Sequence, residues 1–134
     1  MSQILIRKIL ESALAAVTPT FSTAWENSDF VPVSGTPYQR AEIIRANPDA
    51  PTNGPFRREQ GLLQVTLMYP LNKGAKDADT RADLLLVAFP KGKRMSDSGV
   101  HVTIGDGAGY VMSGFRDNDR WSVPVRFPYF SNIG

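Results

Sequence analysis

Between Leu62 and Pro70 the chain alternates: Leu63, Val65, Leu67 and Tyr69 are apolar or aromatic, with Gln64, Thr66 and Met68 between them. A period of two predicts a strand with one buried face. Pro70 ends it, because proline has no donor for the next ladder bond. The strand lies near the middle of the sequence and is expected to be central in its sheet. A second alternating run closes the chain, with Trp121, Val123, Val125, Phe127 and Tyr129 on one face. Pro124 and Pro128 fall on the other face, which predicts an edge strand or a bulged one.

A different period governs two other stretches. Ile6, Ile9, Leu10, Ala13 and Val17 form one stripe, opposite Arg7, Lys8, Glu11 and Ser12, and predict a helix over residues 2–17 that Thr18-Pro19 closes. Ala78, Ala82, Leu85, Leu86 and Phe89 predict a second helix over 76–89, stopped by Pro90. Asp77, Asp79 and Asp83 lie early in it, and Lys91, Lys93 and Arg94 follow its end, the arrangement a helix dipole favours. Residues 21–26 form a short strand candidate. Residues 39–46 are short for a helix between proline-bearing loops and are assigned to a strand. Val100, Val102 and Ile104 predict another strand; Gly105 to Gly109 turns, Tyr110 to Phe115 returns, and Asp117-Asn118-Asp119 turns again. Residues 47–55, N-P-D-A-P-T-N-G-P, exclude regular structure and are expected to be functional or mobile.

The order is helix, two or three strands, helix, three strands. Without a steady β-α-β alternation, the expected fold is α+β: a mainly antiparallel mixed sheet of five to six strands with two helices packed against it. The 134 residues show no internal repeat and no linker, and are read as one domain, 1–134. A composition 42% hydrophobic and 21% charged is that of an ordinary soluble protein. The net charge of +2 is too small to imply nucleic acid by itself. The sequence holds no cysteine, which removes disulfides, thiolate metal sites and thiol nucleophiles. The first eleven residues carry Arg7, Lys8 and Glu11 within their apolar run and do not read as a targeting segment, and no run is long enough to span a membrane. A cytosolic, soluble product is expected.

Candidate chemistry is sparse. His101 is the sole histidine and falls opposite Val100 and Val102, facing solvent. The G-D-G-A-G run lacks the Lys-Ser/Thr of a phosphate loop and reads as a turn. Asp77, Asp79 and Asp83 lack the glycine and late glutamate of a calcium loop, and Asp117-x-Asp119 reads as turn chemistry. No catalytic residue, cofactor site or metal ligand is nominated, so an enzyme is not expected. The residues nominated for contact with other chains are Arg57, Arg58, Lys91, Lys93 and Arg94, with Asn53, Gly54 and Pro55 in the proline-rich loop.

Taken together, several stretches resemble a known family. They are an N-terminal amphipathic helix, Trp25-Glu26, F-V-P-V-S-G-T-P-Y at 30–38, and the proline-rich loop. R-R-E-Q-G-L-L-Q-V-T-L-M-Y-P follows, then a Gly74 turn, a helix ending A-F-P-K-G at 88–92, and W-S-V-P-V-R-F-P-Y-F at 121–130. In order and spacing these resemble the tail-terminator proteins of phages and prophages, minor tail proteins that cap long non-contractile tails. The resemblance covers nearly the whole chain and implies a structural virion protein forming a ring of about six copies, in which unlike patches meet. It further implies that the ring ends tube polymerisation and offers a head-docking surface. Implied partners are other copies of the chain, a tail-tube protein and a head–tail connector, with assembly in the bacterial cytoplasm and a final place in the virion tail. Two alternatives remain open at this point: a neck or head-completion protein, and a nucleic-acid-binding sheet module using the two basic groups. Neither a membrane nor specific nucleic-acid binding is expected.

Overall fold

The computed structural model describes residues 2–46 and 57–133. In chain order the elements are α1 (Ser2–Ala15), β1 (Thr23–Ala24), β2 (Tyr38–Arg45), β3 (Arg57–Pro70), α2 (Lys76–Ala88), β4 (Arg94–Asp97), β5 (Val100–Ile104), β6 (Tyr110–Val111), β7 (Phe115–Asp117) and β8 (Arg120–Ile133). The strands form one sheet in the order β1-β2-β3-β8-β5-β4, with β6 and β7 also paired to β8. Among the described residues only β1 and β2 run parallel; every other pairing is antiparallel. The α+β reading of the sequence is therefore correct, with more strands than expected. One extra strand, β4, was hidden in the basic run after α2, and the single strand expected over 110–115 is divided into β6 and β7. The β4–β5 hairpin turns through Ser98 and Gly99 at φ of 52° and 82°, the left-handed conformations a tight two-residue turn requires.

The alternation of β3 and β8 explains the core. Leu63 faces Phe127, Val65 faces Val125 and Leu67 faces Val123 across the ladder, and all of them are buried. Directly opposed residues share a sheet face, so these form one apolar surface. Both helices pack on it: α1 brings Ile6, Ile9, Leu10 and Leu14, and α2 brings Ala78, Ala82 and Leu85, with Phe89 just beyond its end. Phe89 and Phe127 meet with ring centroids 5.1 Å apart. Arg81 of α2 is buried as well; it donates to the Pro19 carbonyl at 2.5 Å and lies 4.1 Å over the Phe21 ring.

Two expectations need correction. First, β8 is not an edge strand: β3 pairs along one side of it, and β5, β6 and β7 share the other. A residue in a strand points its N–H and C=O to the same side. The Pro124 carbonyl accepts from Met112 N–H at 2.8 Å and the Pro128 carbonyl from Gly105 N–H at 2.9 Å. The missing proline donors therefore also fall on that second side, where short strands leave gaps, and the β3 ladder is untouched. Second, the G-D-G-A-G run does not close a hairpin between β5 and β6. Both lie along β8 and the run carries the chain from one to the other. Close approach fixes its ends: a Cβ at Gly105 would meet the Phe130 ring at 2.6 Å, and one at Gly109 would meet the Phe127 ring at 2.5 Å.

The free side of β2 is closed by β1 and then by a side chain. Glu26 accepts from Ile43 N–H at 2.8 Å and pairs with Arg7 at 2.8 Å. An edge donor satisfied in this way is withheld from strand pairing with other chains. Burial would raise the Glu26 pKa, but the bonds from Ile43 N–H and Arg7 outweigh it and hold the group below its ordinary 4.5. A lowered folded pKa adds stability that is fully present above the unfolded value and fades as pH falls through the folded one. Glu26→Gln is accordingly expected to destabilise by about 0.5–1 kcal/mol at pH 7. Wild type and variant should converge in urea unfolding at pH 3. An undiminished gap at pH 3 would mean the carboxylate charge is not responsible.

Candidate functional site

Among the described residues, one face of the sheet has helices on it and the other has none. On the uncovered face β2 presents Tyr38, Arg40, Glu42 and Ile44, opposed by Met68, Thr66, Gln64 and Leu62 of β3, which in turn oppose Ser122, Pro124, Arg126 and Pro128 of β8. At one end residues 30–37 fold over this face. Phe30 packs on Tyr38 with centroids 4.9 Å apart, and the buried Arg120 donates to the carbonyls of Thr36 at 2.6 Å and Val33 at 2.8 Å. Met68 and Ser122 are sealed beneath. Across the middle runs a polar chain: Arg126 Nε donates to Gln64 Oε1 at 2.6 Å, and Gln64 Nε2 to Glu42 at 3.0 Å.

At the other end no described residue folds over the face. Ile44, Tyr110 and Phe115 are exposed there and along the β6–β7 margin. An apolar groove of about 270 Å³ runs past Ile44, Leu62 and Pro128. Beside it lies a hollow of about 250 Å³ lined by Arg94, His101, Thr103, Phe130 and Asn132. Arg58 separates the two. It stacks 4.0 Å over the Phe130 ring and bonds both carboxylate oxygens of Asp106 at 2.6 Å.

The nominated contact residues do not form one patch. Arg58 and Arg94 share the uncovered face, at either side of Phe130. Lys93 lies on the helix side, its Nζ 5.8 Å from the Phe89 ring, beside a groove lined by Ala13, Val17, Leu84 and Val87. Arg57 pairs with the buried Glu59 at 2.6 Å, and Lys91 is exposed in the turn before β4. Asn53, Gly54 and Pro55 lie outside the described residues. His101 is exposed, as its register against Ser96 requires. Among the described residues no group of three or more His, Asp or Glu side chains is placed to hold a metal ion. The sequence reading missed Thr103, Phe130, Asn132 and Arg120. For the last three the signal was present in the even-numbered positions of β8, which were read only for Pro124 and Pro128; Thr103 lies on β5, one position inside the strand end.

The described residues form a helix-covered core and an arginine-bearing sheet face without helices, a surface on which contact with other chains can be built. Comparison with known families makes that specific. The sequence model of a family described as phage tail terminator protein matches residues 5–129, and the chain belongs to that family. It is thus a structural protein of the phage tail and of virion assembly, not an enzyme. A solved structure is similar over 100% of this chain and 98% of its own, with a TM-score of 0.81 and 27% sequence identity. A search of curated proteins finds no match.

Proposed function

We propose that the chain, acting as one domain over residues 1–134, forms a ring of about six copies on the completed tail tube. The ring ends tube polymerisation and presents the surface on which the head docks through its connector. Its partners are further copies of itself, the tube protein and the connector protein, met in the host cytoplasm before the finished tail. The observation that carries this reading is the family match across nearly the whole chain. The uncovered sheet face supports it, because it exposes Ile44, Tyr110 and Phe115 along its length and carries Arg58 and Arg94 at one end, groups suited to contact with protein. The neighbouring contact residues are assigned to Arg57, Arg58, Lys91, Lys93 and Arg94, together with Asn53, Gly54 and Pro55.

The test is native mass by light scattering after size exclusion, across a range of protein concentration. A discrete species of about six chains that grows with concentration is the expected result. A monomer throughout would count against self-assembly as the basis of the ring.

A further inference from the structure

The hollow at the β4–β5 end of the uncovered face is built from groups that donate hydrogen bonds. Arg94 brings a guanidinium, Thr103 a hydroxyl and Asn132 an amide, with His101 at the rim and Phe130 as the floor. The neighbouring cation, Arg58, is neutralised by Asp106. Arg94 is different: among the described residues no carboxylate pairs with it, and it is exposed. A single spare guanidinium ringed by neutral donors matches a monoanion with two acceptor oxygens, which is a carboxylate. A nucleic-acid strand fits poorly, because it needs an open aromatic face for stacking. Phe130 has Arg58 over one face of its ring and Gly105 against its edge. At about 250 Å³ the hollow admits the head of a side chain with a few waters, not a helix or strand.

The chain itself carries a suitable donor of that carboxylate. Asp79 and Asp83 stand one turn apart on α2, both exposed, and Val87 continues the same ridge at 80% exposure. Like charges at this spacing disfavour each other, and among the described residues no cation pairs with either. The ridge lies on the helix-covered side and the hollow on the uncovered side. Each copy therefore offers one of each, the two unlike patches that a closed head-to-tail ring needs.

We propose that the hollow formed by Arg94, Thr103, Phe130 and Asn132 receives one carboxylate of the Asp79–Asp83 ridge on a second copy of this chain. This rests on the ring reading and names its subunit contact. Because the protein has no cysteine, introduced thiols report the contact cleanly. Thr103→Cys protein mixed with Asp83→Cys protein and treated with a short bismaleimide should give mixed dimer about tenfold above Thr103→Cys mixed with Ser12→Cys, where tenfold is 1.4 kcal/mol of preference. Mixed dimer no higher than this control overturns the proposal. In parallel, Arg94→Asp should weaken self-association about tenfold, and mixing it with Asp83→Arg should restore it, the signature of a direct pair. If wild type assembles and Arg94→Asp assembles equally well, the contact is wrong and the ring reading stands. A wild type that stays monomeric, with no mixed dimer from the cysteine variants, removes both.

Discussion

Phe127→Ala is expected to lose about 3–5 kcal/mol of folding stability, the usual cost of emptying a core aromatic site. The ring is fully buried and is held from three sides. Phe89 tilts against it at 5.1 Å, Gly109 lies close enough that a Cβ there would clash, and Leu63 stands opposite on β3. None of these neighbours can collapse freely into the space. Phe89 anchors the end of α2, and the chain at Gly109 is tied to β8 through β6. A lowered urea midpoint with an unchanged m-value would match a native state that keeps its shape. A loss below about 1 kcal/mol would mean that Phe127 is not the packing centre beneath α2.

The second large effect is expected at Arg120. Its guanidinium is buried, and no ion-paired carboxylate reaches it among the described residues. Its charge is satisfied by the carbonyls of Val33 and Thr36 and by the Tyr38 ring, 5.0 Å from Cζ. Hydrogen bonds to a charged group contribute about 1.5–3 kcal/mol each, and part is recovered when the freed carbonyls meet water. Arg120→Met keeps most of the side-chain volume and should still cost about 2–3 kcal/mol. The loss should be local in structure: residues 30–37 should become accessible to protease while α1 and α2 keep their helical signal. If protease cuts no faster there, the carbonyl contacts do not hold the segment down.

The two predictions mark the boundary of what the amino-acid pattern disclosed. Phe127 was legible, because period-two alternation assigns a face whatever the partner strands are. Residues 39–46 were legible as a strand for a similar reason, with prolines on both sides leaving too little length for a helix. The path of the last strand was not. Pro124 and Pro128 signalled missing donors, but a sequence does not say which side of a strand those donors would have faced. The break in the neighbouring edge is visible only once Met112 and Gly105 are seen donating to the proline carbonyls. Arg120 was equally hidden. It follows Asp119 and reads as turn charge, whereas its partners are 84 and 87 positions away in the chain. The contact surface was half legible. Arg58 and Arg94 were nominated from charge, and the fold brings them to either side of Phe130; Lys93, close to Arg94 in sequence, goes to the opposite face because neighbouring strand positions point apart.

The unequal sides of β8 have a mechanical consequence. Its bond with β3 is continuous from Arg57–Ile133 to Pro70–Arg120, so neither strand can part from the other without dissolving the core between them. On its far side β5, β6 and β7 hold separate short stretches, with proline interruptions between. The exposed β6 and β7 can lift with little ladder broken in any one event, whereas β5 is held down by Val102 and Ile104 in the core. The molecule is therefore a stiff spine with a segmented fringe, able to adjust its outline against a neighbour while its core keeps a fixed shape.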